Sequence, residues 1–187
     1  MELTEAAVKY VRLVFASLLL AGSAAPAQRP IVRVAPSVTQ DQRGFSLRLL
    51  AAHNQVRAAA GVPALQWDPV LAAAAASYGP RLAAYPELEH SPRAERPGQA
   101  ENLFRGQAGR YSLEAMVDNW VQERRLFRPG LFPAVSSSGN WIDVSHYTQM
   151  IWPTTTKVGC AVHKTLRWEY LICRYSPRGN RDGVQLR

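Results

Sequence analysis

Four imidazoles and two thiols carry most of the chemistry this sequence can offer. The histidines are His53, His90, His146 and His163, and the cysteines are Cys160 and Cys173. His90 and His146 stand beside loops or capped helix starts, where an imidazole can face solvent. His53 falls on a helix, where a buried polar ring needs a hydrogen-bond partner, and His163 falls on a hairpin and should be exposed. Imidazoles of this kind suit proton transfer near neutral pH or a borderline divalent ion such as zinc. Covalent catalysis has little support. Ser91 and Ser145 directly adjoin His90 and His146 in sequence, which is poor geometry for a Ser-His dyad. Neither a Gly-x-Ser-x-Gly elbow nor a His-Glu-x-x-His pair occurs. The two cysteines can pair or remain buried free thiols, and pairing would remove a thiol nucleophile.

These groups must be positioned by a mixed set of elements. The first helix is expected over Ser46 to Ala60, capped by Ser46 and ended by Gly61, with Leu47, Leu50, Ala51, Asn54 and Ala58 at helical spacing. Asp68-Pro69 opens a second, alanine-rich helix, which Pro80 should kink or split. Residues 85–110 read as a long irregular loop of the functional kind. Ser112 caps a third helix that runs to Phe127 and stops at Pro129-Gly130. A further loop ends near Trp141, and Asp143 or Ser145 caps a short helix through Trp152. Two strands, Val158 to Val162 and Trp168 to Tyr175, join through Lys164–Arg167 as a hairpin, which sets Cys160 and Cys173 on adjacent strands and favours their disulfide. The tail from Ser176 is polar and extended. The order is α+β, without alternating β-α units or internal repeats.

The N-terminus reads as an export signal over 1–27. Lys9 and Arg12 precede an apolar run from Leu13 to Gly22, and Ala25-Pro26-Ala27 supplies a cleavage site. An uncleaved anchor is the alternative, but the run falls short of the about 20 residues a bilayer requires. A flexible leader over 28–43 and one domain over 44–187 follow. Export implies an oxidising compartment, periplasmic or extracellular, in which the cysteines would pair. The net charge of +8, with only three lysines among 22 basic residues, could draw the protein to anionic lipid or wall polymers. No nucleic-acid motif accompanies it. No transmembrane segment is expected after cleavage, and the chain should be a monomer.

Five stretches in order resemble the CAP superfamily of cysteine-rich secretory proteins, venom antigens and pathogenesis-related proteins. Ser145-His146-Tyr147-Thr148-Gln149-Met150-Ile151-Trp152 resembles its Gly-His-Tyr-Thr-Gln-apolar-apolar-Trp motif, with Ser145 in place of the usual Gly. Cys173 to Asn180 resembles Cys-x-Tyr-x-Pro-x-Gly-Asn, and His53-Asn54-Gln55-Val56-Arg57 resembles His-Asn-x-x-Arg. Ala100-Glu101-Asn102-Leu103 and Trp120-Val121-Gln122-Glu123 complete the set. The resemblance implies a three-layer α-β-α sandwich with a small antiparallel sheet. It also implies a cleft holding His90, Glu101, Glu123 and His146. Zinc or another divalent metal would bind His90 and His146, with Glu101 and Glu123 as ligands or orienting partners. The same four could instead form a polar network that pins the loops. The function implied is an extracellular or envelope binding module, with lipid, sterol or another envelope component as ligand. The alternative is a metal-dependent hydrolase or peptidase with Glu101 or Glu123 as base.

Overall fold

The structure is a computed structural model that describes residues 40–187, with side chains from Arg43 onward. The expected signal at 1–27 and most of the expected leader lie outside the described residues. Among the described residues there are four α-helices: α1 (Gln40–Ala59), α2 (Pro69–Ala84), α3 (Leu113–Val121) and α4 (Ser145–Met150). The strands are β1 (Gln66–Trp67), β2 (Ala100–Gln107), β3 (Gly130–Leu131), β4 (Lys157–Lys164), β5 (Trp168–Ser176) and β6 (Gln185–Leu186). None of the helices described is long and apolar enough to cross a membrane.

The strand order β1-β4-β5-β2 makes β5 a central strand. β2 and β4 pair antiparallel on either side of it, while the two-residue β1 joins β4 in parallel. The side chains of β5 alternate between two cores, as the pleat requires. Tyr170 and Ile172 meet Ala75, Tyr78 and Leu82 of α2. Leu171, Cys173 and Tyr175 face Leu49 of α1, Met116 and Trp120 of α3, and Met150 of α4. The result is the three-layer α-β-α sandwich, with α2 on one face and the other helices opposite. Each fully buried large apolar side chain contributes about 1.5–3 kcal/mol to holding these layers together. Cys160 and Cys173 are directly opposed in the β4–β5 register and form a disulfide with their Cα atoms 4.1 Å apart.

Local chemistry explains several boundaries. The Asp68 carboxylate accepts from the Val70 and Leu71 N–H groups at 2.8 and 3.2 Å, capping α2, and the Ser112 hydroxyl accepts from Ala115 N at 3.1 Å, capping α3. Other boundaries depart from expectation. α1 starts at Gln40, inside the stretch read as leader, and Ser46 lies within it, donating to Arg43 O rather than capping. α2 continues through Pro80 without a break. Its Gly79 lies against His163, which is therefore half-buried rather than exposed; a Cβ at Gly79 would sit 2.6 Å from that ring's Cβ. α3 ends at Val121 and tightens into a 3-10 turn over Gln122–Arg125.

The largest correction is β2, which occupies part of the stretch expected to be irregular. Its faces read Glu101-Leu103-Arg105 and Asn102-Phe104-Gly106, so neither shows an apolar period. The strand forms because its register with β5 compensates its charge: Glu101 lies opposite Arg174. The tail is also tied down. β6 pairs with β3, and Leu186 is buried with Phe132 and Trp152.

Candidate functional site

Glu101 is the buried centre of one half of the site. Its side chain is fully buried, yet it is surrounded by donors. Oε1 accepts from the Ser91 N–H at 2.9 Å and from His90 Nδ1 at 2.9 Å, and Oε2 accepts from the Ser91 hydroxyl at 3.0 Å. Arg174 Nε stands 2.8 Å from Oε2, out of line for a directed hydrogen bond, so its contribution is charge. Burial alone would raise the Glu101 pKa. The His90 hydrogen bond, the Arg174 charge and the Ser91 N–H outweigh it and hold the carboxyl below the usual range.

Glu123 organises the other half. It lies on the 3-10 turn after α3, and its Oε2 accepts from the backbone N–H groups of His146 and Tyr147 at 2.9 and 3.0 Å. Its Oε1 is bonded to His146 Nδ1. The carboxylate therefore caps α4 from outside the helix, which corrects the expectation that Asp143 or Ser145 would cap it. Val144 occupies the N-cap position and has no polar side chain, and Asn140 caps the preceding 3-10 turn by accepting from Ile142 N at 3.2 Å. Two orphan donors at the start of α4 are satisfied by a remote acid, so Ser145 in place of Gly leaves the cap intact. The His146 ring also stacks on Trp120, with centroids 6.0 Å apart and planes within 13°.

The two halves meet. His90, Glu101 and His146 line one cleft of about 300 Å³ with Gln149 and Asn180, while Glu123 stands behind His146 rather than in the lining. Each imidazole has its Nδ1 on a carboxylate, and neither Nε2 has a hydrogen-bond partner among the described residues. An ionised carboxylate can only accept, so Nδ1 carries a proton, and in the neutral ring Nε2 then presents a lone pair. Each carboxylate already takes three hydrogen bonds.

One group of three metal-type side chains with donor atoms within 4.8 Å of one another occurs among the described residues: His53, Cys160 and Cys173. It does not suit a metal, because the sulfurs are joined to each other and both His53 nitrogens are engaged. His53 Nδ1 donates to Leu49 O at 2.7 Å, so Nε2 accepts from the Tyr175 hydroxyl at 2.9 Å. That hydroxyl in turn accepts from Asn102 Nδ2, which also donates to His146 O. Burial pushes the His53 pKa down to about 4, and the chain of bonds links the core to the cleft wall.

Several residues of this machinery were not singled out for it by sequence. Arg57 is fully buried and donates to four carbonyls. These are Pro63 at 2.6 Å, Met150 at 2.7 Å, and Trp152 and Thr155 at 3.0 Å. It ties α1 to the end of α4, and burial lowers its pKa to about 10. Ser91, Arg96, Asn102 and Arg174 are likewise part of the site. The 145–152 and 173–180 motifs are one cluster in space. Gln149 Oε1 accepts from Gly179 N at 2.8 Å, and Asn180, at φ 49°, donates to Ser145 O at 2.8 Å. A second, larger groove of about 630 Å³ lies between α1 and α3. Ala51, Ala52, Val56, Val117 and Val121 line it together with Arg48, Glu114, Asp118 and Arg124.

Comparison with known proteins bears on the family and the fold. The cysteine-rich secretory protein (CAP) family matches residues 50–175. Pathogenesis-related protein 1 of Arabidopsis thaliana is 36% identical over 148 residues, covering 79% of this chain and 83% of the relative. The crystal structure of Na-ASP-1 superposes with a TM-score of 0.60 at 24% identity, over 72% of this chain and 39% of that longer one. The structure of NaASP2 with Zn2+ gives a TM-score of 0.62 at 22% identity, over 81% and 87% of the two chains. At these identities the two structures speak to the fold.

Proposed function

The chain belongs to the cysteine-rich secretory protein (CAP) family, and on that premise we propose that it is an exported binding module whose His90–His146 cleft holds a divalent metal ion. One observation carries the reading. Both cleft imidazoles are oriented through Nδ1 by a carboxylate, which leaves Nε2 free, and this is how proteins prepare histidines for a metal. Glu101 and Glu123 act as orienting partners, because their oxygens are already committed to Ser91, His146 and Tyr147. Two neutral imidazoles suit zinc among the divalent ions, and an ion held by only two protein ligands keeps positions open for an external ligand. NaASP2, of the same fold, was crystallised with Zn2+.

Binding is favoured over hydrolysis on the same grounds. A metal-dependent peptidase needs a carboxylate that faces the bound water, whereas the Glu101 side chain is fully buried and Glu123 stands behind His146, outside the cleft lining. Export is supported by the Cys160–Cys173 disulfide, a bond that persists in oxidising compartments. The apolar groove between α1 and α3 is where a lipid ligand would lie, with Arg124 placed to meet an acidic head.

Zinc titration by calorimetry tests the proposal. The wild type should bind with a stoichiometry of one, and His90→Ala combined with His146→Ala should abolish the heat. Equal heat from the double variant would place the metal elsewhere.

A further inference from the structure

We propose that the cleft binds an acidic oligosaccharide, through two uncompensated guanidinium groups, Arg93 and Arg178, beside an aromatic wall at Trp141. The inference goes beyond the metal reading and does not depend on it, because its charges sit on residues that are not metal ligands.

The electrostatics come first. Three arginines and one carboxylate line the cleft. Arg96 is committed to the Ser91 and Gln99 carbonyls at 2.9 and 3.2 Å. Glu101, the carboxylate, is already matched by Arg174 at 2.8 Å. Arg93 and Arg178 are exposed, and neither forms a side-chain hydrogen bond or ion pair among the described residues. Their backbones are nevertheless held. Arg178 N donates to Gly98 O at 2.9 Å, and Arg96 N closes the 3-10 turn on Arg93 O at 3.2 Å. Two guanidiniums are thus brought to one cleft on anchored backbones with no internal anion. Planar guanidinium groups take carboxylate or sulfate oxygens in pairs, and the net charge of +8 draws polyanions toward the protein.

A further feature selects a sugar over other anions. Trp141 keeps 36% of its surface exposed and is held edge-on against Phe132 at 5.2 Å; with Ile142, 60% exposed, it offers a fixed apolar surface in the cleft lining. Such a surface suits the C–H face of a pyranose ring. A hexuronate carries the carboxylate and the flat apolar face in one ring, which an oligoglutamate does not.

The test is calorimetry in the presence of a chelator, with oligogalacturonate hexamer as probe. Cellohexaose serves as the neutral match, oligoglutamate as the acidic peptide, and a heparin hexamer as the sulfated source of the same charge. Arg93 and Arg178 have no side-chain bonds to lose, so Arg93→Ala combined with Arg178→Ala should fold. It should weaken hexuronate binding at least about tenfold, and Trp141→Ala should weaken it several-fold. Arg110→Ala with Arg167→Ala removes the same charge at the other end of β2 and β5 and should change little. Tighter binding of heparin than of hexuronate assigns the anion as sulfate and keeps the site. The proposal is overturned by cellohexaose binding as tightly, by oligoglutamate binding more tightly, or by equal damage from the control variant. Loss of hexuronate binding on chelation also overturns it, while leaving the metal reading intact.

Discussion

Replacing Glu123 by Gln changes one oxygen to an amide and should invert the hydrogen-bond logic of His146. In the wild type, Oε2 takes two backbone N–H groups and Oε1 takes the ring Nδ1 proton. A glutamine can keep its oxygen on the two backbone donors, which places its NH2 against Nδ1. The ring must then accept at Nδ1, so its proton moves to Nε2. The opposite amide orientation would set NH2 against two N–H groups and orphan both, at about 1–3 kcal/mol each, so it is disfavoured. The two retained bonds pass from charge-assisted to neutral, and together these changes should cost about 2 kcal/mol of stability. With a proton on Nε2, His146 has no lone pair for a metal. Zinc affinity should fall about 10- to 100-fold, as when an orienting partner of a metal-bound histidine is lost. Long-range 15N–1H correlation of the imidazole nitrogens reads the tautomer directly, urea unfolding reads the stability, and calorimetry reads the metal. An unchanged Nδ1–H tautomer in Glu123→Gln would refute the assignment of Glu123 as the orienting acceptor. A switched tautomer with zinc affinity intact would refute the role of His146 Nε2.

Two other outcomes follow from buried groups behind the cleft. Arg57→Met leaves the Pro63, Met150, Trp152 and Thr155 carbonyls without their donor. It should destabilise the protein by about 4 kcal/mol or more in urea unfolding, and a loss below about 1 kcal/mol would show that these carbonyls find other partners. His53 is neutral in the fold because burial pulls its pKa from 6.5 to about 4. The unfolded chain therefore binds the extra proton between those two values, and stability should rise with pH across that window and level off above it, by about 3 kcal/mol in total. His53→Gln should flatten that part of the stability–pH profile, and an unaltered slope would mean another group is responsible.

Much of the fold was legible because the signals were local. Asp68-Pro69 and Ser112 mark helix starts through hydrogen bonds that span two or three residues, and the hairpin carrying Cys160 and Cys173 declares itself by alternation around a short turn. β2 gave no such sign. Its polar residues are matched by Arg174 and by Tyr175 on elements some seventy residues away, and no local period records a compensation at that distance. Leu186 and the β3–β6 pair were hidden for the same reason.

For the site, residue types and family-like spacing singled out His90, Glu101, Glu123 and His146 from the chain alone. They could not assign the roles. Whether a glutamate is ligand, base or cap depends on which donors surround its two oxygens, and those come from Ser91, His146 and Tyr147 through folding. Likewise Arg57, Arg93 and Arg178 are ordinary members of a basic chain until the backbone decides which meets four carbonyls and which are left facing a cleft. Hydrogen-bond partners are chosen within about 3 Å in space, while the sequence orders residues only along the chain.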